Sequence, residues 1–177
     1  MNSLRFPSSI LRSKMALVTQ EPFLFTDTVK NNIWREKSDI STDEISRVLD
    51  ASNSRNFIER LPDGIHTVLS GRGASISSGE RQLLSIARAF AKNPEVIILD
   101  EATSYVDSQT EIYLQEAIAN LMHGRTCVVV AHRLTTARTA DRIVVLEFGT
   151  IAQVGSPQGA KYTMVDPNNT EAGELDI

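Results

Sequence analysis

The amino-acid sequence predicts an α/β fold with a mainly parallel sheet and a helical subdomain at about residues 27–92. Short aliphatic runs alternate with amphipathic helical patterns, which is typical of a parallel sheet flanked by helices. The run Val96-Ile97-Ile98-Leu99, preceded by Pro94, is typical of a central parallel strand that is buried on both faces. Residues 27–64 contain mainly short helical patterns, which predicts the separate subdomain.

The composition excludes several classes of protein. The net charge of −4 provides no basic field, so no nucleic acid partner is expected. The apolar runs reach about six residues, far fewer than the roughly 20 that span a bilayer. Residues 1–10 lack the apolar core of a signal peptide. Cys127 is the only cysteine and lies in the apolar run 127–131, so we expect a buried, unreactive thiol in a reducing compartment.

In the first half of the chain, apolar periodicity and turn residues delimit each predicted element. The Ser41-x-x-Glu44 spacing is that of a capping box, in which a serine and a glutamate satisfy the first amides of a helix. The predicted elements are an irregular segment at 1–13, a strand at 15–19 that ends at Gln20, a short helix at 27–34, the helix opened by Ser41, and a helix with Phe57, Ile58 and Leu61 that stops at Pro62-Asp63-Gly64.

In the second half, a glycine- and serine-rich stretch at 70–79 precedes a helix that ends before Asn93-Pro94. Ser108-x-x-Glu111 repeats the capping-box spacing and opens another helix, for which Gly124 is a suitable C-terminal cap. The apolar faces of the two helices consist of Leu83, Leu84, Ala87 and Phe90 and of Leu114, Ala117, Ile118, Leu121 and Met122. The remaining elements are strands at 126–131, 142–146 and 150–154, the last two joined at Phe148-Gly149, and a disordered tail at 157–177.

Candidate functional residues follow two of the predicted strands. Asp100 and Glu101 emerge at the C-terminal edge of the central strand, where open α/β sheets bind ligands. An aspartate there could hold Mg²⁺, and the glutamate beside it could polarise a water molecule. His132 follows a second apolar strand, so a parallel sheet would bring it to the same edge. The alternatives are a solvated acidic turn and a structural histidine.

A third candidate is the segment Ser77-Ser78-Gly79-Glu80, which opens the helix after the glycine- and serine-rich stretch. A helix N-terminus with small residues and hydroxyls can bind an anion, because unpaired N–H groups and the positive end of the dipole face the ligand. The alternative is an ordinary N-cap formed by Ser77 or Ser78.

Taken together, these segments resemble the nucleotide-binding domain of an exporter-type ABC transporter. The likeness extends over about residues 11–156 and implies an incomplete P-loop NTPase core at 14–156. The matching motifs, in the order of the family, are a Q-loop at 18–25, a signature motif at 76–80, a Walker B strand with its glutamate at 96–101, a D-loop at 104–107 and an H-loop at 131–133.

The resemblance implies a role for each of these motifs. In the family, ATP lies between the phosphate loop of one domain and the signature of a second domain, paired head to tail. The implied partners are therefore a second ATPase domain and the membrane domains of a transporter, with a cytoplasmic location peripheral to the membrane. The implied roles are general base for Glu101, γ-phosphate contact for His132, Mg²⁺ binding for Asp100 and Gln20, nucleotide binding for Ser77, Gly79, Gln20 and Asp107, and also communication across the dimer for Asp107.

The chain also departs from the family pattern. No Gly-x-x-x-x-Gly-Lys-Ser/Thr motif is present, and we expect that the chain begins too late to contain this phosphate loop. Ser78 replaces the usual glycine, and Glu80 replaces the commoner glutamine and adds negative charge near a phosphate. The stretch Ser70-Gly71-Arg72-Gly73 lacks the glutamate that exporters commonly have before the signature.

Three hypotheses remain open at this point. The chain is a transporter ATPase whose N-terminal part is missing from the sequence, in which case the DNA upstream of Met1 encodes a phosphate loop in frame. Alternatively, it is a non-catalytic partner that provides Ser77 and Gly79 to an intact domain in trans. In the third hypothesis, it is a non-functional remnant that cannot fold alone, because removal of a central strand exposes unpaired edges on both of its neighbours.

We predict that the purified chain does not hydrolyse ATP. Phosphoryl transfer depends on positioning and electrostatic stabilisation of the phosphates, and the 177 residues contain no lysine loop to provide them. Phosphate release at millimolar ATP and Mg²⁺ tests this, with Glu101→Gln as the control. Release that the substitution abolishes would contradict the prediction.

Overall fold

The protein is described from a computed structural model, which covers residues 7–35, 39–71, 73, 75–100, 108–131 and 140–157. The chain divides into two compact units, Met1–Val129 and Val130–Ile177. The boundary falls inside the predicted partial domain at 14–156, so each unit is described by itself. The predicted tail at 157–177 lies outside the described residues except for Pro157.

The first unit combines a parallel sheet with helices, as the sequence predicts. Its elements in chain order, up to the end of β5, are α1 (Ser8–Ser13), β1 (Met15–Val18), β2 (Asp27–Thr28), α2 (Val29–Ile33), α3 (Thr42–Ala51), α4 (Arg55–Glu59), a 3₁₀ turn (Gly64–His66), β3 (Val68–Leu69), α5 (Ser78–Lys92), β4 (Val96–Asp100), α6 (Ser108–Met122) and β5 (Thr126–Val130).

The main sheet has the strand order β1-β4-β5, with β1 and β4 parallel and Val18 opposite Leu99. In the part of the chain that the structure describes, one face of this sheet is buried and the other is largely exposed. Ile97 and Leu99 belong to the apolar core that also contains the inner faces of α5 and α6, whereas Ile98 is only half-buried. The prediction that β4 is buried on both faces was therefore wrong. On the outer face, Leu17, next to Ile98, is 58% exposed, and Val128 of β5 is 52% exposed.

Helix α5 is the central element of the first unit. It contacts α2, α3, α6 and β1, and the predicted apolar residues Leu83, Leu84, Ala87 and Phe90 are all buried. The helix ends at Asn93, which has a positive φ of 50° immediately before Pro94. Its predicted position and inner face are confirmed. The stripe on α6 is also confirmed, since Leu114, Ala117 and Leu121 are fully buried.

Two predicted boundaries near the N-terminus differ from the structure. Residues 8–13, expected to be irregular, form helix α1. The short helix predicted at 27–34 begins only at Val29, because Asp27 and Thr28 instead pair antiparallel with β3. Thr28 then caps α2 by accepting a hydrogen bond from the amide of Asn31 at 3.0 Å. A residue whose side chain caps a helix has extended backbone, so it can also end a strand.

The second unit contains an antiparallel hairpin. Its strands are β6 (Ile143–Glu147) and β7 (Thr150–Gly155), with a register shift between Val145 and Leu146. Phe148 and Gly149 join them with φ of 48° and 77°, and a two-residue turn with two positive φ values fits the right-handed twist of a hairpin. The predicted pair of strands is confirmed. Among the described residues of the chain, no helix is long and apolar enough to cross a membrane.

Because one face of the sheet is buried and the other exposed, truncation of a leucine on each face should reduce the free energy of unfolding by unequal amounts. Leu99→Ala should lower the free energy of unfolding by about 2–5 kcal/mol, because Leu99 is 3% exposed and leaves a cavity. Leu17→Ala should change it by less than about 1 kcal/mol, because that side chain is already largely in water. Urea denaturation of both variants tests this, and equal losses would show that the outer face is buried in solution.

Candidate functional site

The parallel pairing of β1 and β4 brings two of the predicted site residues to one edge of the sheet. Val18, the last residue of β1, lies opposite Leu99, so Asp100 and the segment that starts at Gln20 follow at the same carboxyl edge. Asp100 is half-buried and Gln20 is exposed. Glu101, Asp107 and His132 lie outside the described residues, so their predicted roles stay predictions.

The predicted Mg²⁺ ligands are compatible with the chemistry of that ion. Asp100 and Gln20 offer a carboxylate and an amide oxygen at one edge of the sheet, and Mg²⁺ in nucleotide sites takes one or two protein oxygens together with phosphates and water. Within the described part of the chain, no group of three or more His, Cys, Asp or Glu side chains is placed to hold a metal without such help.

The N-terminus of α5 is closed by a reciprocal capping box. The hydroxyl of Ser77 accepts a hydrogen bond from the amide of Glu80 at 3.1 Å, and the carboxylate of Glu80 accepts one from the amide of Ser77 at 2.8 Å. Arg60 donates to the same carboxylate at 3.4 Å. Ser77 is exposed, and the bond that it accepts leaves its own hydroxyl proton for another acceptor. The N-cap and the anion site are therefore compatible with each other.

The first turns of α5 are tied to the sheet edge by Gln82. This side chain is 3% exposed and donates from Nε2 to the carbonyl oxygen of Thr19 at 3.1 Å. Thr19 directly precedes Gln20, so the bond fixes the capped end of α5 relative to the carboxyl edge of β1. The structure thereby links the signature-like segment and the Q-loop-like segment, which are far apart in the sequence.

A second connection lies farther along α5, at Arg88. Its Nε donates to the carbonyl oxygen of Asn32 at 2.8 Å, and one terminal nitrogen donates to that of Phe23 at 3.1 Å. The Asn32 side chain is buried and accepts from the amide of Phe25 at 2.8 Å. Burial and, to a smaller extent, the nearby Arg35 lower the pKa of Arg88 from its usual value. The segment after Gln20 is thus held by side chains rather than by strand pairing.

The single thiol is not part of this arrangement. Cys127 lies on β5 and is half-buried, less than the sequence predicts. Burial raises the pKa of its thiol above the usual value, against the opposing effect of Arg125. The thiol is therefore neutral at pH 7, as expected for an unreactive cysteine.

Sequence reasoning missed Gln82, Arg88 and Asn32 as residues that build the site. Their roles depend on backbone carbonyls brought close only by the packing of α5, and no spacing in the sequence indicates such contacts. The capping box at Ser77 could have been found, because Ser77-x-x-Glu80 has the same spacing that predicts the cap at Ser41. At Ser41, the hydroxyl accepts from the amide of Glu44 at 3.1 Å, as predicted.

Comparison with known proteins gives consistent matches. The family model of the ABC transporter matches residues 2–104. An ABC transporter ATP-binding protein of Bacillus subtilis is 49% identical over 146 residues, which are 82% of this chain and 24% of that protein. An ATP-dependent lipid A-core flippase of Chromobacterium violaceum is 49% identical over 152 residues, which are 86% of this chain and 26% of the flippase.

A solved structure agrees with these sequences. A bacterial Atm1-family ABC exporter with ATP bound matches with a TM-score of 0.74 and 35% identity, over 85% of this chain and 26% of that chain. The chain therefore spans about a quarter of the length of these relatives.

Gly73, in the loop before α5, and Gly64, in the 3₁₀ turn, differ in the space available for a side chain. Gly73 has a φ of +80°, and a Cβ there would lie 2.9 Å from Cδ1 of the buried Leu24. Gly64 also has a positive φ, of +53°, but a Cβ there would meet nothing within 4 Å. Both alanine variants should lose about 1–2 kcal/mol of stability through backbone strain. Gly73→Ala should lose about 1–3 kcal/mol more through overpacking. Chemical denaturation measures both, and equal losses would contradict the predicted clash.

Proposed function

Since this chain belongs to the ABC transporter family, we propose that it forms part of the ATPase domain of an exporter and contributes the signature side of an ATP site. The observation that supports this most directly is the exposed, hydroxyl-capped N-terminus of α5, fixed to the sheet edge by Gln82. ATP would lie between this helix end and a second ATPase domain that provides a phosphate loop. Hydrolysis would drive transport through membrane domains, with the chain on the cytoplasmic side of the membrane.

The chemistry of the helix end fits a phosphate. Ser77 would donate its free hydroxyl proton to a γ-phosphate oxygen, and the positive end of the α5 dipole would attract the negative charge. Gly79 is buried in the first turn of α5, so its contribution would be the absence of a side chain there rather than an exposed group. Glu80 opposes binding by its negative charge, but Arg60 and the amide of Ser77 offset part of that charge.

The carboxyl edge of the sheet would perform the hydrolytic step in a complete site. Asp100 and Gln20 would hold Mg²⁺, which when bound neutralises phosphate charge. Glu101 would accept a proton from the attacking water, and His132 would contact the γ-phosphate. Asp107 would communicate with the partner domain. The proposal for all five residues rests on the motif positions, and the shared edge of β1 and β4 supports it for Asp100 and Gln20 alone.

We predict that Ser77→Ala weakens ATP-dependent association with an intact, hydrolysis-deficient ABC ATPase domain by about tenfold or more, because a hydrogen bond to a charged group contributes roughly 1.5–3 kcal/mol. The matched control is Ser41→Ala. Both serines cap a helix by accepting from the amide three residues later, so both variants should lose about 1 kcal/mol of stability. Only Ser77→Ala should affect association.

Sedimentation velocity at millimolar ATP, with ADP as the reference, measures this association. Equal effects of the two substitutions would contradict the role of Ser77 in ATP binding. Failure of the unaltered chain to associate at all would contradict the proposed function.

A further inference from the structure

Helix α5 holds three points of the segment that runs from the end of β1 to α2. Gln82 binds the carbonyl oxygen of Thr19, at the start of the segment. Arg88 binds the carbonyl oxygens of Phe23, in its middle, and Asn32, at its end. The two donors are six residues apart, or about 9 Å along a helix that rises 1.5 Å per residue. One rigid helix therefore fixes the whole segment.

The side chain of Asn32 forms further hydrogen bonds with the backbone of this segment. Its side-chain oxygen accepts from the amide of Phe25, and its side-chain nitrogen donates to the carbonyl oxygens of Phe25 and Thr28, both at 3.0 Å. The same oxygen accepts from Arg88 at 3.3 Å. Buried backbone groups need partners, and here side chains provide them instead of a strand or helix.

An arginine at position 88 has a free-energy cost, because its charge is partly removed from water. In the described residues, every hydrogen bond of Arg88 goes to a neutral oxygen, so no carboxylate offsets the charge that is partly removed from water. A guanidinium has five N–H donors in a fixed fork, which can reach the carbonyls of Phe23 and Asn32 at once. Lysine carries its three N–H donors on a single nitrogen, so it does not reproduce the spacing of this fork.

The fixed segment exposes two side chains to solvent, one at its start and one in its middle. Gln20 is exposed at its start, and Phe23 is 51% exposed, with its ring 4.8 Å from that of Phe25 in an edge-to-face contact. Arg35 stacks over Phe25 at 3.6 Å from the ring centroid. The backbone at Thr19, directly before Gln20, and at Phe23 is therefore connected to α5 by hydrogen bonds.

We propose that Gln82 and Arg88 are positioning residues that make the Gln20–Phe25 segment and the capped end of α5 one mechanical unit. This inference rests on the proposed function, because it assigns the coupled groups to Mg²⁺ and ATP. A nucleotide that contacts Ser77 would thereby fix the position of Gln20 and of the exposed Phe23. Gln82 and Arg88 would act only through the backbone carbonyls that they bind, without contacting the nucleotide.

The test measures the position of the segment directly, without ATP. Spin labels at Glu21→Cys and Ser75→Cys, both exposed positions, in a Cys127→Ser background report the distance between the segment and the turn before α5. Pulsed electron paramagnetic resonance of the full chain should give a narrow distance distribution. Arg88→Met should roughly double its width, because a loop that loses its anchoring bonds samples several conformations.

Arg125→Met is the matched control. Arg125 also donates to a neutral helix carbonyl, of Leu121, and to a neutral asparagine oxygen, of Asn93. Its guanidinium lies 5.8 Å from the Phe90 ring, as that of Arg88 lies 6.0 Å from the Phe25 ring. The two variants should therefore lose similar stability, but Arg125→Met should leave the distribution narrow. Equal widths for the two variants would overturn the proposal.

Two further variants, Arg88→Lys and Gln82→Leu, complete the test. If Arg88→Met does not fold, Arg88→Lys replaces it, and a distribution as narrow as that of the unaltered chain would overturn the proposal.

Gln82→Leu should raise the ATP concentration needed for association by about tenfold, since misplacement of a binding group weakens its contact. An unchanged concentration would contradict the role of Gln82. Absence of any association with the unaltered chain would contradict the proposed function but not the coupling measured by the spin labels.

Discussion

The burial of α5 is the constraint on which the rest of the first unit depends. Six consecutive residues, 82–87, are buried, so the helix is enclosed on nearly all sides over almost two turns. Two of them, Gln82 and Ser85, are polar, and a buried amide side chain must find hydrogen-bond partners. Gln82 finds one on Thr19, at the end of β1. Core packing and the geometry of the candidate site are thus determined by the same helix.

In contrast to α5, the main sheet is largely exposed on one face in the described residues. Parallel sheets are normally covered on both faces, yet Leu17, Val128 and Val130 are about half exposed on the outer face. Such a surface favours association, and among the described residues β1 and β5 form the two edges of this sheet.

The sequence predicts the elements of this fold better than their environment. Periodicity identifies α5, α6 and the strands because their apolar patterns are local. It fails at β4, where four aliphatic residues predict two buried faces, because burial depends on which other elements are present to cover each face. It also fails at Asp27 and Thr28, whose backbone is determined by the distant β3 and by the side chain of Asn32. The site is predictable as a set of motifs, whereas the connections through Gln82 and Arg88 are not.

Glu80 shows how a departure from the family pattern can be accommodated. A carboxylate beside an ATP phosphate would be repulsive if it were free, but here it accepts from the amide of Ser77 and from Arg60. An acidic group in the first turn also interacts favourably with the positive end of the helix dipole. The glutamate therefore stabilises the helix end, while Arg60 offsets part of its charge toward the solvent. The same carboxylate occupies the amide of Ser77, so the phosphate binding proposed for this helix end would depend more on the Ser77 hydroxyl.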